Sequence, residues 1–221
     1  MKLAAEALTK FTCGLLLVGL LIFLPAGTLS YANGWYFIAL LFIPMLIAGL
    51  IMLFKTPDFL KKRLDAKEKQ GTQKGVVAFS GLMFIAGFVV AGLDFRFGWS
   101  ALPIWVVITA SVLFLIAYAL YAEVMRENAY LSRTVKVEQG QTVVDTGLYG
   151  IVRHPMYAVT ILLFLMIPLV LGSWYALIAF AFYPVIIIVR LLDEEKLLTM
   201  ELSGYPEYKQ KVKYRIIPFI W

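Results

Sequence analysis

Apolar residues run almost unbroken from Phe11 to Leu29, Trp35 to Phe54, Val76 to Leu93, Pro103 to Ala122, Met156 to Leu171 and Trp174 to Leu192, with polar residues gathered in the gaps. A helix rising about 1.5 Å per residue needs about 20 residues to cross a hydrocarbon core of about 30 Å. The pattern therefore predicts an all-α, polytopic transmembrane helical bundle. It would hold about six membrane helices, the last two forming a hairpin, with short cytoplasmic helices beside them. Pro168 is expected to kink or end the fifth helix and Pro184 to bend the sixth. The chain divides into residues 1–122, four spans with a basic loop at 55–75, and residues 123–221, which hold the candidate chemistry.

The gaps refine this picture. Lys2 and Lys10 before the first run, with Ser30-Tyr31-Ala32 after it, look like a signal peptide with a small-x-small cleavage site. The run is long enough to span and is expected to stay as the first helix. Only Ser30 to Gly34 separates it from the second, which makes an antiparallel hairpin. In Lys55–Lys74, Thr56-Pro57-Asp58 has the order of an N-cap, a first-turn proline and an early acid. Phe59, Leu60, Arg63 and Leu64 then share one side of a short helix suited to a lipid surface, although a solvated basic loop is an equal reading. Gly71 to Gly75 should close this segment, and Asp94 to Trp99 should form a turn. The fourth helix should project past the lipid through Glu123–Asn128. Thr134-Val135-Lys136-Val137-Glu138 alternates apolar and polar residues, as a short extended piece would.

Composition agrees. With 62% apolar residues and a mean hydropathy of +0.84, the chain holds more apolar material than a soluble core of 221 residues can bury. Its 20 Lys and Arg against 14 Asp and Glu give a net charge of +6. These bases flank the apolar runs, so anionic headgroups are the expected neighbours and nucleic acid is not. If both termini are cytoplasmic, every Lys and Arg but Arg96 lies on that side, as the positive-inside rule favours. Trp35, Trp99, Trp105 and Trp174 fall near the opposite interface, where indoles prefer to sit. Cys13 is the sole cysteine, which excludes an internal disulfide.

The candidate chemistry lies in Gly147-Leu148-Tyr149-Gly150-Ile151-Val152-Arg153-His154-Pro155-Met156-Tyr157 and in Arg190-Leu191-Leu192-Asp193-Glu194-Glu195. If the intervening hairpin crosses and returns, the only His and the only adjacent Glu pair meet at one membrane face. Polar groups at the mouth of an apolar bundle usually mark a functional site. Gly147 and Gly150 permit close backbone approach, and Pro155 sets Arg153 and His154 at a helix N-terminus. Acids at a helix C-terminus face the unfavourable end of its dipole, so Asp193-Glu194-Glu195 needs a cation, which Arg190, Lys196 or Arg153 can supply. His154, Glu194 and Glu195 could instead ligate iron or zinc. No second motif of ligand spacing supports that, and no metal is predicted.

The ordered set Gly147, Tyr149, Arg153, His154, Pro155 and Tyr157, then Glu194-Glu195, Gly204 and Tyr208, resembles the isoprenylcysteine carboxyl methyltransferase and phospholipid methyltransferase superfamily over roughly residues 121–221. The resemblance implies S-adenosylmethionine as cofactor, bound on the cytoplasmic side. It implies that His154, Tyr157 and the backbone around Gly147 and Tyr149 help hold it, with Glu194 and Glu195 near its sulfonium and ammonium. Arg153 and Arg190 are then the candidates for orienting an anionic acceptor, since a guanidinium fork matches a carboxylate or phosphate. Arg153, Arg190 and Glu194 form the expected catalytic set, Glu194 being the first base to test if the acceptor is an amine. Leu148 and Val159 depart from the proline and glycine common at those family positions. The acceptor stays open: a lipid or prenyl-type small amphipathic molecule, methylated on a carboxylate or an amine. Two other readings remain, an NADPH-dependent sterol-type reductase with a similar carboxy-terminal pattern, and a non-enzymatic transporter or assembly protein. The tail, in which Tyr205, Tyr208, Val212, Tyr214, Ile216, Ile217, Phe219 and Trp221 are interspersed with Lys209, Lys211, Lys213 and Arg215, reads equally as a lid or an interfacial anchor.

Overall fold

The structure is a computed structural model that describes residues 2–64, 71–131 and 137–221. Its helices are α1 (Lys2–Ala26), α2 (Ala32–Lys55), α3 (Pro57–Leu64), α4 (Gly71–Phe97), α5 (Ile104–Glu127), α6 (Pro155–Leu171), α7 (Trp174–Phe180), α8 (Tyr183–Glu201) and α9 (Tyr205–Lys211), with a 3₁₀ turn at Gly147–Gly150. Five stretches are long and apolar enough to cross a membrane: α1, α2, α4, α5 and the continuous run Trp174–Glu201, while α6 is a shorter apolar helix. The chain is a multi-pass membrane protein. Leu16, Leu20, Leu24, Ile43 and Ile47 face outward, as side chains do when the solvent is lipid.

Three turns meet at one end of the bundle and fix the path of every span. Asp94, at the end of α4, accepts hydrogen bonds from the backbone N–H and the hydroxyl of Ser100, each 2.6 Å, and from the hydroxyl of Ser173. Ser173 also caps α7 by accepting from the Ala176 N–H at 2.9 Å. Beside it the Tyr31 hydroxyl donates to the Leu171 carbonyl, which ties in the α1–α2 turn. The turns after α1, α4 and α6 therefore share one face, and α6 carries the chain back to it from the candidate site.

Packing between the spans depends on small residues. At Gly92 the α1 backbone lies where a Cβ would stand, against the Ile22 carbonyl, so only glycine lets α1 and α4 approach this closely. One core cluster then joins Ile22, Phe37, Phe88, Phe114, Tyr157, Phe180 and Leu191 from the five long stretches and α6.

Two expectations change and one is sharpened. The third span starts at Gly71 rather than Val76, because Gln73 is fully buried and its amide donates to the Asp193 carboxylate at 2.7 Å. That tertiary contact outweighs the poor helix propensity of Gly71 and Gly75. The fifth helix ends at Leu171, where its apolar run does, and it stops there through Gly172, whose φ of 79° is the left-handed cap that glycine favours, rather than at Pro168 itself. The sixth span is two helices rather than one bent helix. Pro184 has no N–H to give the Phe180 carbonyl, so the ladder breaks at Ala181–Phe182. The extended piece expected at Thr134–Glu138 lies largely outside the described residues. α3 forms as a short helix, with Leu60 buried and Lys61 exposed.

Candidate active site

Pro155 opens α6 with its fixed φ and places His154 at the N-cap, while α8 carries Arg190, Glu194 and Glu195 out at the same end of the bundle. The two motifs meet. Glu195, 4% exposed, accepts from Arg153 Nε at 2.7 Å and from Arg215 Nε at 2.9 Å. His154 Nε2 stands 3.3 Å from its Oε1 and 3.5 Å from the Tyr205 hydroxyl. A buried carboxylate is tolerated when cations and donors surround it, and here two guanidiniums and an imidazole do so.

Arg153 is 7% exposed and gives two more donors to the tail: Nη1 donates to the carbonyls of Val212 and Lys213 at 2.7 and 2.9 Å. The backbone repeats this tie, since the N–H groups of Arg153 and His154 donate to the carbonyls of Tyr214 and Arg215 at 2.9 and 2.8 Å. The tail thus caps the motif through both main chain and side chains.

A second chain of contacts faces a cavity. Arg190 Nε donates to the Tyr157 hydroxyl at 3.0 Å, and that hydroxyl donates to Glu194 Oε2. The cavity beside them is about 90 Å³ and is walled by Tyr149, His154, Tyr157, Arg190, Glu194 and Tyr205, with Gln141–Val144 as its loop side. Arg153 reaches it too, whereas Gly147 and Glu195 do not line it.

Gly147 works from behind. Its φ is +50°, and a Cβ there would overlap the Glu127 carboxylate, which accepts the Leu148 N–H at 3.0 Å. The turn this fixes aims Tyr149, whose hydroxyl accepts from Asn128 at 3.0 Å and whose carbonyl accepts from the Tyr208 hydroxyl at 2.7 Å. Burial pushes the phenols of Tyr149, Tyr205 and Tyr208 well above their usual range, so all three stay protonated donors.

The structure thus unites His154, Tyr157, Glu194, Glu195, Arg153, Arg190 and Tyr149 at one end of the bundle. Asn128, Glu127 and Arg215 also belong to this assembly and were missed. Glu127 and Asn128 read as the wet end of α5, and Arg215 as one of several headgroup bases. Only the three-dimensional return of the chain gives them partners.

Residues 105–200 match the model of the isoprenylcysteine carboxyl methyltransferase (ICMT) family. Over these residues the chain is similar to that family. The family implies a methyltransferase, embedded in the membrane as its helices require. No curated protein matches the chain. The matched region contains Arg153, His154, Tyr157, Arg190, Glu194 and Glu195 and stops before the tail that caps them.

Proposed function

We propose that this methyltransferase uses S-adenosylmethionine and methylates a lipid-like or amphipathic acceptor, on a carboxylate or an amine, at the cytoplasmic membrane face, with both termini cytoplasmic. The observation that carries the reading is the Arg190–Tyr157–Glu194 chain of hydrogen bonds opening on the cavity. The donor set fits the cofactor. Glu194 offers a carboxylate to its sulfonium or ammonium, Tyr149, Tyr157 and Tyr205 line the cavity with phenol rings, and Arg190 adds a guanidinium. The cavity of about 90 Å³ is smaller than the roughly 300–1,000 Å³ of ligand pockets in general. Binding has to widen it, and Gln141–Val144, like Tyr130 and Leu131 on its rim, is not held in a helix.

When bound, S-adenosylmethionine supplies an electrophilic methyl group on sulfur. The chain's own work is positional. Tyr157 fixes the Glu194 carboxylate through Oε2, leaving Oε1 without a hydrogen bond among the described residues. That oxygen is available to an ammonium or to the proton of an amine acceptor. A carboxylate acceptor needs no proton removed, and alignment within a site of restricted water suffices. Arg190 is the cation suited to such an acceptor. We assign Arg153, held by Glu195 and the tail carbonyls, to keeping the cap in place and to bordering the cavity. The organisation of these groups over residues 123–221, with 1–122 as supporting spans, belongs to the same proposal.

Calorimetry on detergent-purified protein tests it. S-adenosylmethionine should bind and NADPH should not, and Glu194→Ala and His154→Ala should each weaken binding in a bundle that stays helical. Binding of NADPH alone would favour the reductase reading, and equal affinity in all three proteins would remove the site assignment.

A further inference from the structure

The tail that caps the site changes character along its length. Leu202, Tyr205, Tyr208 and Val212 form a small cluster of their own, apart from the transmembrane core. Ile216, four residues on, is buried within the transmembrane core, and Trp221 packs against it. The chain therefore descends from the cap to the level of the bundle. Its end is closed into a knuckle: the N–H groups of Ile216 and Ile217 both donate to the Trp221 carbonyl at 3.0 Å, and the Trp221 N–H returns to the Ile217 carbonyl at 3.1 Å. The Arg215 guanidinium lies 5.0 Å from the centre of the Trp221 ring.

What the knuckle presents is apolar. Phe219 is 86% exposed and Ile220 77%, and Ile217 is exposed beside them. Phe219 is the one non-glycine residue with positive φ among the described residues, at 64°. A bulky side chain pays for that backbone conformation, and here the conformation turns the ring outward. Lys209, Lys211 and Lys213 precede the knuckle, Lys211 in an exposed ion pair with Asp145 at 2.6 Å and Lys209 3.4 Å from the Thr199 hydroxyl, so large apolar tips adjoin a basic strip, which is the composition of segments that seat in an anionic lipid interface.

We propose that the Ile217–Ile220 knuckle inserts into the headgroup boundary of the membrane leaflet on the site's side, with the neighbouring lysines on anionic headgroups. The tail then joins that leaflet to the Arg153–His154–Glu195 assembly, because Tyr214 and Arg215 accept the amides of Arg153 and His154. The lid and the anchor are one segment with two faces. The inference does not depend on which cofactor or acceptor the site takes.

Spin labelling of the full-length protein tests this. In a Cys13→Ala background, single cysteines at Phe219 and Ile220 carry a nitroxide, with Gln139 as a solvent-side reference and Ile47 on α2 as a lipid-side one. The protein is reconstituted in phosphatidylcholine vesicles with or without phosphatidylglycerol, and accessibility to oxygen and to a water-soluble nickel chelate is measured. Labels at 219 and 220 are expected to resemble Ile47, with nickel access several-fold below Gln139, and to sit deeper with phosphatidylglycerol than without. Nickel access equal to that at Gln139 at both positions and in both lipids overturns the insertion. Equal depth in the two lipid mixtures overturns the role of the anionic headgroups.

Discussion

Removing the Glu195 charge should open the cap before it unfolds the bundle. In Glu195→Gln the shape is kept, but two guanidiniums lose their shared carboxylate. Breaking a buried ion pair by removing one partner costs about 3–5 kcal/mol, because the other charge is stranded. Arg153 has almost no access to water but keeps two carbonyl acceptors, and the Arg215 side chain, 30% exposed, can turn toward solvent. Both features favour the lower end, about 3 kcal/mol. At about 1.4 kcal/mol per factor of ten, that is roughly a hundredfold rise in the open population. Hydrogen exchange reads it directly, since the amides of Arg153 and His154 are protected by tail carbonyls. Peptides covering 150–156 and 205–221 should exchange about a hundredfold faster, while those from α4 and α5 keep their protection and the helical circular dichroism is unchanged. Glu194→Gln is the control, as Glu194 bonds Tyr157 and not the tail. Exchange in Glu195→Gln within about threefold of the parent, over both peptides, would show that the ion pairs do not hold the cap.

Tyr157→Phe removes only the hydroxyl between Arg190 and Glu194; losing a hydrogen bond to a charged group costs about 1.5–3 kcal/mol, so the melting temperature should fall, and methyl transfer should fall with it because Glu194 is no longer fixed. Gly147→Ala places a side chain at positive φ against Glu127, which costs about 1–2 kcal/mol for the conformation alone. It should lower the melting temperature and the affinity for S-adenosylmethionine together. Gly92→Leu overpacks the α1–α4 contact, costing at least the roughly 1–3 kcal/mol of an overfilled core, and should reduce folded yield. If Gln141–Val144 gives way when the cavity fills, S-adenosylmethionine should change hydrogen exchange in peptides covering 138–146, and no change would place the opening elsewhere.

Much of the bundle was legible because lipid imposes a simple rule. A backbone without water must satisfy itself, so each apolar run of sufficient length becomes a helix, and the polar gaps become its ends. Pro155 marks a helix boundary through local backbone preference, which is why His154 could be placed at a helix start from the sequence. Gln73 and Pro168 show where that reading fails. A buried amide bonded to α8 extends α4 through glycines, and Gly172 rather than Pro168 sets the end of α6. Local propensity does not carry the first of these. The site divides in the same way. Its motif residues stood out by spacing, whereas Asn128, Glu127 and Arg215 acquire meaning only from what the fold brings opposite them.

The two ends of the bundle are mechanically one problem. Ser173 is pinned to Asp94 on one face, and from it the chain runs as α7 and α8 to Glu194, while α6 runs back from Leu171 to Tyr157. A slip of one residue along α8 turns its side chains by about 100° and moves them about 1.5 Å along the axis. Either displacement takes Glu194 off the Tyr157 hydroxyl and Glu195 off Arg153. The hydroxyl and carboxylate pairs at Asp94 therefore set the register in which the acids meet the Arg-His motif. Lengthening the α6–α7 turn by one residue at Gly172 should weaken ligand binding at the far end. Replacing outward residues such as Ile47 with another apolar side chain should not.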